Sequence, residues 1–169
     1  MRNVIAILED DERRTQAMKE EIHRLFPTLH ARFFDNAPDM LAWLQDALCS
    51  VLLFCLDHDL GPNYQRDGKP FDPGTGRDIA DFLAAKKASC PILIHSSNVE
   101  AAQAMRFTLE DAGWAVERVT PFDDLTWVDS YWSSRVATLL DKEEKEECEQ
   151  AEPPDCQQSA SPKRSAANM

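Results

Sequence analysis

Paired cysteines, long apolar runs and an excess of positive charge are all missing from this sequence, and each absence removes a class of function. The five cysteines (Cys49, Cys55, Cys90, Cys148, Cys156) are odd in number, scattered and without a CxxC pair. That pattern argues against a disulfide framework and against a cysteine zinc site, and implies reduced thiols. The longest apolar runs are strand-sized, and Met1-Arg2-Asn3 leads into a short run stopped by Glu9. Neither a spanning helix nor a signal peptide is expected, and the chain reads as cytoplasmic. With 18 Lys and Arg against 30 Asp and Glu, the formal net charge is -12. Such a charge disfavours broad contact with nucleic-acid phosphates or an anionic membrane, so a phosphate-bearing ligand must bind locally, through a metal.

What is present is acid placed after strands. The run Val51 to Leu56 closes on Asp57-His58-Asp59, two carboxylates flanking an imidazole. A second run, Val4 to Leu8, closes on Glu9-Asp10-Asp11-Glu12 in the same way. In an open parallel sheet, the residues just past a strand's carboxyl end line the ligand crevice. Two strands ending in carboxylates suggest a shared cation.

At 169 residues and 43% hydrophobic content, the chain suits one packed domain. Strand-like runs alternate with helical patterns along it. After Val4 to Leu8, residues Arg13 to Leu25 carry Ala17, Met18, Ile22 and Leu25 at helical spacing, stopped by Pro27. Ala31 to Phe34 is a short second strand, and Asn36 can cap a helix that turns Met40, Leu41, Leu44 and Leu48 inward. The third strand is Val51 to Leu56. Residues Gly61 to Gly76 hold three prolines and four glycines, which predicts a long loop rather than an element. Arg66, Lys69 and Arg77 in and after it could cover a phosphate.

Gly76 opens the next helix. Pro91 to His95 reads as the fourth strand, and Ser97-Asn98-Val99-Glu100 fits a capping box for a helix ending at Gly113. A fifth strand near Ala115 to Val119 precedes a last helix with Leu125, Val128, Trp132, Val136 and Leu139 on one stripe. Five such units imply an α/β fold, a doubly wound five-stranded parallel sheet of order 2-1-3-4-5. The expected domain covers residues 1–140. Residues 141–169, rich in Glu, Lys, Gln, Pro and Ser, read as a disordered tail.

In that order strands one and three are neighbours at the topological switch point, so Glu9, Asp10 and Asp57 converge. Packed carboxylates repel, and a hard divalent cation with oxygen ligands relieves them; Mg²⁺ is expected, with Mn²⁺ as its substitute. Capping of the first helix by Asp10 or Asp11 would account for one of them but leaves Asp57 and Asp59 unexplained.

On these residues the chain resembles the receiver domains of response regulators, with their flavodoxin-like fold, over roughly residues 3 to 140. The resemblance implies Glu9 and Asp10 as the metal-binding pair, Asp57 as phosphoacceptor, the backbone carbonyl of Asp59 as a further metal ligand, and Ser96 as the switch hydroxyl. Three positions depart from the pattern. Thr120 stands where the family keeps lysine before Pro121-Phe122, Gly61 stands where it keeps proline, and a short loop has become Gly61 to Gly76. Arg118 could replace the lysine, but strand alternation sets it on a different face from Val119. The combination Leu56-Asp57-His58-Asp59-Leu60-Gly61, Thr75-Gly76 and Ile94-His95-Ser96-Ser97-Asn98 is similar to a narrower branch, the cyclic-phosphate processing receiver domains.

That resemblance implies a metal-dependent phosphoesterase acting on cyclic phosphate, carried by a nucleotide or an RNA end. Asp57, His58, Ser96 and His95 are the catalytic candidates, and Glu9, Asp10, Asp57 and Asp59 the metal ligands. Opening a cyclic phosphodiester needs charge neutralisation, a nucleophile and an acid for the leaving alkoxide. His58 could shuttle the proton, while Ser96 and the helix start at Asn98 hold phosphate oxygens. Alternation points His95 away from Ser96, which suits packing or support as well as catalysis. His23 and His30 read as structural or solvated. Two other functions fit the same residues: a phosphoaccepting receiver served by a histidine kinase, and a degenerate receiver acting only as an interaction module.

Overall fold

The computed structural model describes residues 2–61, 64–66, 68–122 and 124–151, leaving out the side chains at 64–66, 144 and 146–151. The first units are β1 (Val4–Leu8), α1 (Glu12–Leu25), β2 (His30–Phe34), α2 (Ala37–Ala47) and β3 (Val51–Leu56). Then come β4 (Tyr64–Arg66), β5 (Lys69–Phe71), α3 (Gly76–Ala84), β6 (Ile92–Ile94), α4 (Val99–Asp111) and β7 (Val116–Arg118). A π-helical turn at Val128–Trp132 leads into α5 (Ser133–Ala151). The main sheet has order β2-β1-β3-β6-β7, and all its pairings are parallel. With the small hairpin β4-β5 set aside, this is the expected 2-1-3-4-5 order.

Alternation along the strands divides the core into two layers. Ala6, Leu8, Phe54, Leu56 and Ile94 pack with Met40, Ile79 and Met105 of the helices on one face. Ile5, Ile7, Leu53, Cys55 and Leu93 pack with Met18, Trp127, Trp132 and Val136 on the other. Both faces of β1 and β3 are covered, which explains why their sequences are continuous apolar runs rather than alternating ones. Cys55 and Cys90 are buried free thiols, and burial pushes the Cys90 thiol up to about 12.

Three expectations need correction. Residues 61–76 are not all loop, because β4 and β5 pair antiparallel with Gln65 opposite Pro70. Strands of three residues are too short to show a period of two, and Pro70 argues for loop until one sees that a two-stranded ribbon has a free edge for it. The N-cap of α4 is Asn98, whose side chain accepts from the Ala101 N–H, rather than Ser97. The capping box belongs instead to α3, between Thr75 and Asp78. Helix α5 continues past residue 141 to Ala151, although the stripe of apolar residues stops at Leu140. Good helix formers such as Glu and Lys propagate a helix beyond its packed part. The rest of the expected tail, residues 152–169, lies outside the described residues.

Candidate metal and phosphate site

Three ladder bonds extend the sheet beyond the ends of its strands and set the site. The Glu9 N–H donates to Phe34 O at 2.9 Å, Asp57 N–H to Leu8 O at 3.0 Å, and His95 N–H to Leu56 O at 2.9 Å. Glu9, Asp57 and His95 are thereby held side by side along the carboxyl edge of β1, β3 and β6. All three are buried. Ligand oxygens of Glu9, Asp10 and Asp57 lie within 4.8 Å of one another, as the strand order requires.

Each carboxylate is oriented by the chain around it. Glu9 Oε1 accepts from the Asp11 N–H at 2.9 Å, whereas its Oε2 is buried without a hydrogen-bond partner among the described residues. Asp10 Oδ2 accepts from the Gly61 N–H at 2.5 Å. A proline at 61 has no N–H to give, so the glycine there supports the metal-binding pair directly. Asp57 Oδ1 accepts from the His58 N–H at 2.6 Å. Asp11 does cap α1, accepting from Arg13 and Arg14 N–H, and so answers the capping alternative for that residue alone.

Burial pushes the Asp57 carboxyl above its usual range, and the Glu9 charge adds to this, while His95, the Ser96 hydroxyl and the His58 N–H oppose it. Burial also raises Asp10, with the Gly61 N–H lowering it and Glu9 raising it again. A crowded carboxylate set, buried at Glu9 and Asp57 and half-buried at Asp10, with one Glu9 oxygen left without a hydrogen bond, is a donor set suited to a hard divalent ion. The fit holds for Glu9, Asp10 and Asp57.

Asp59 is different. Its carboxylate stands 2.7 Å from His58 Nδ1 and accepts from Asn98 Nδ2 at 3.4 Å, outside the cluster of three. It orients the imidazole, and only its main chain is left for the ligand role the sequence suggested. Ser96 is buried and bonds Asp57 through its hydroxyl, which also accepts from the Asn98 N–H at 3.3 Å.

His95 stays in register with the sheet: its ring stacks on Trp127, on the face that holds Leu93, and its Nε2 stands 3.4 Å from Glu9 Oε2, while Ser96 turns to Asp57. Arg118 donates to the Ser96 carbonyl at 3.0 Å rather than to Asp57, and Thr120 is exposed. Arg77 pairs with Asp81 at 2.7 Å on its own helix, Lys69 is exposed, and the Arg66 side chain lies outside the described residues. His23 and His30 are exposed, as expected.

Sequence reasoning missed the cation of the site. Arg14 Nη1 lies 3.4 Å from Asp57 Oδ2 and 3.7 Å from Glu9 Oε2, and its guanidinium sits 5.8 Å from the Trp127 ring centre. The available signal was its spacing: position 14 is one helical turn beyond Asp10. Gly76 was also underread. A Cβ there would run into the Asp57 carbonyl, and the Gly76 N–H donates to His58 O at 3.0 Å. Glycine is what lets α3 start against the site.

A family profile described as cyclic-phosphate processing receiver domain matches residues 5–111. The chain belongs to that family. The match spans β1 to α4, including every residue of the acidic cluster and the Asp57-His58-Asp59 and His95-Ser96 segments.

Solved structures with the same fold include the phosphorylated cyanobacterial phytochrome response regulator RcpA. It has TM-score 0.63 and 14% identity, with 84% of this chain and 96% of that one covered. A response regulator receiver domain from Rhodospirillum rubrum has TM-score 0.57 and 18% identity, covering 80% and 94%. A CheY-like receiver domain protein from Methanospirillum hungatei has TM-score 0.60 and 14% identity, covering 86% and 99%. At such identities the likeness concerns the fold. A search of curated proteins finds no match to the sequence. Among the described residues no helix is long and apolar enough to cross a membrane.

Proposed function

We propose that this cyclic-phosphate processing receiver domain is a cytoplasmic metal-dependent phosphoesterase that opens cyclic phosphodiesters on a nucleotide or RNA end. The observation that carries the reading is the convergence of buried Glu9 and Asp57 with half-buried Asp10, Glu9 Oε2 lacking a hydrogen-bond partner among the described residues. These residues would hold Mg²⁺ or Mn²⁺, with the main chain at Asp59 as a further oxygen donor. A divalent ion there supplies neutralisation of phosphate oxygens and a water of lowered pKa.

The chain's own groups do the rest. Ser96 and the α4 start at Asn98 face the phosphate with a hydroxyl and the positive end of the helix. Asp59 fixes Nδ1 of His58, leaving the other ring nitrogen to donate a proton. Water attacks phosphorus, one ester P–O bond breaks, and the leaving ribose oxygen takes its proton from His58. The proton lost by the water passes to solvent, from which His58 is recharged. Next to the centre, a pocket of about 270 Å³ lined by Arg13, Arg14, Ser97 and Phe122 gives space for the remainder of the substrate. Asp11 and Asp124 also line it, but both use their carboxylates on neighbouring main-chain N–H groups.

The hydroxyl contact between Ser96 and Asp57 favours a second reading, in which Asp57 accepts a phosphoryl group as in a signalling receiver. Against it stands Thr120, which offers no ammonium to the phosphoryl group. Incubation with Mg²⁺ and 2′,3′-cyclic nucleotides, and separately with acetyl phosphate, decides between them. Turnover of the cyclic ester supports the esterase, and stable phosphorylation of Asp57 without turnover supports the receiver.

A further inference from the structure

Phe122 is an aromatic ring left in the open beside a charged site. It is 48% exposed and lines the cavity of about 270 Å³ that is also lined by Arg14, the guanidinium 3.4 Å from Asp57. Single exposed apolar side chains are common and need no explanation. Phe122 differs in being held. Tyr131 meets it edge to face, with ring centres 5.7 Å apart and planes at 77°, and such a contact covers at most one face of either ring. Tyr131 belongs to the π-helical turn Val128–Trp132, an uncommon conformation that recurs at functional sites. The pair lies outside both core layers, so burial does not account for it.

The charges around the same cavity narrow what it can hold. Arg14 is committed to Glu9 and Asp57, and the Asp11 and Asp124 carboxylates accept main-chain N–H groups. Arg13 also lines the cavity, and its guanidinium has no hydrogen bond or ion pair among the described residues. A π surface and an uncommitted cation therefore stand next to the acidic centre. A cyclic phosphate carried by glycerol or inositol has no ring to stack and leaves Phe122 facing water. A nucleoside does have one, and base–aromatic stacking works for every base because each has a π face.

We propose that Phe122, held by Tyr131, is the platform on which the nucleobase of the substrate stacks, so that the site selects a nucleoside 2′,3′-cyclic phosphate over a base-free cyclic ester. The inference rests on the esterase reading for the position of the phosphate and adds the group that recognises the rest of the substrate. A free nucleotide and an RNA 3′ end share this chemistry. They differ in the phosphodiester on the 5′ side of the terminal nucleoside, and Arg13 is the charge available to meet it.

The test uses the full chain with Mg²⁺ and, as probes, adenosine 2′,3′-cyclic phosphate, a dinucleotide ending in it, and glycerol 1,2-cyclic phosphate. Saturation-transfer NMR reads binding without turnover. In the parent, saturation of protein methyl protons should transfer more strongly to the adenine protons than to the ribose protons. That transfer should weaken in Phe122→Ala and persist in Phe122→Trp. In kcat/KM, the parent should prefer the adenosine probe to the glycerol probe, and Phe122→Ala should shrink the preference about 5- to 100-fold while Phe122→Trp keeps it. Tighter binding of the dinucleotide, lost in Arg13→Gln, identifies an RNA end, and equal binding of the two identifies a free nucleotide; the platform stands in both cases. If Phe122→Ala does not fold, the transfer pattern in the parent and in Phe122→Trp still decides. Transfer strongest at the ribose, or an undiminished preference in Phe122→Ala, overturns the platform and leaves the esterase reading standing. Adenine contact that depends on Phe122, without turnover, overturns the esterase and keeps the platform, and failure to bind any probe overturns both.

Discussion

Arg14 stands 3.4 Å from Asp57, closing with its guanidinium a cluster that β1 and β3 assemble from carboxylates. The two residues come from different elements, and the contact makes α1 part of the site. Arg14 is only 26% exposed at the side chain, and its partners Glu9 and Asp57 are at 0% and 5%. Its charge is therefore poorly replaced by water.

Replacing Arg14 by Met should destabilise the ion-free protein by about 1–3 kcal/mol, because two buried carboxylates lose their counter-charge. A saturating divalent ion should recover most of the loss, since it binds only the folded state. Urea unfolding in chelator and in Mg²⁺ or Mn²⁺ measures both numbers. Equal losses in the two conditions would show that Arg14 serves the fold and not the carboxylates.

Asp57 gives a pH dependence of definite sign. Burial lifts its carboxyl above the ordinary 3.8, so in the ion-free state the folded protein holds that proton more tightly than the unfolded chain. The contribution to stability is favourable at low pH. It is lost as pH rises from near 3.8 through the raised folded value, and the penalty persists at neutral pH. In chelator, Asp57→Asn should therefore be more stable than the parent at pH 7, with the gap closing towards pH 4. Thermal denaturation across that range checks it, and a gap that widens on acidification reverses the assignment.

Gly76 is a packing constraint set by the site. The Asp57 carbonyl and the His58 backbone stand where a Cβ would go, and neither is a flexible side-chain tip. Gly76→Ala should cost roughly 2–4 kcal/mol, at the severe end for a single substitution. Gly68, at the turn between β4 and β5, has open space around it, and Gly68→Asn should cost far less because asparagine tolerates its φ of 73°. Chemical denaturation of the two variants side by side measures the contrast.

Much of this arrangement was legible in the sequence, and the reasons separate cleanly by residue. Val4–Leu8 and Val51–Leu56 announce themselves because strands covered on both faces must be apolar throughout. Once they are neighbours, Glu9, Asp10 and Asp57 have no choice but to meet. The hairpin β4-β5 was hidden by its three-residue strands and Pro70. Arg14 was hidden because nothing local distinguishes an arginine that turns inward from one of the many on a solvated helix face. Alternation holds one residue past Ile94, since His95 falls with Leu93 on the Trp127 face, but the approach of its Nε2 to Glu9 is a contact between strands that no local pattern shows.

His58 separates catalysis from signalling. Its Nδ1 is held 2.7 Å from Asp59 Oδ1, and Asp59 is in turn held by Asn98, so the ring's orientation is fixed by a chain of polar contacts. Neither His58 nor the Asp59 carboxylate belongs to the acidic cluster. A proton donor of this kind typically contributes about 10²- to 10⁴-fold in rate, so His58→Ala should cut cyclic-phosphate turnover by that factor while divalent-ion affinity stays nearly constant. Asp59→Asn keeps a ring partner but loses the negative charge, and should fall between the parent and His58→Ala. Steady-state kinetics with 2′,3′-cyclic nucleotides and calorimetry on the same three proteins provide the comparison. Unchanged turnover in His58→Ala would remove the imidazole from the chemistry. If His58→Ala instead accepts phosphoryl groups from acetyl phosphate as the parent does, and neither protein opens a cyclic ester, the site is that of a signalling receiver.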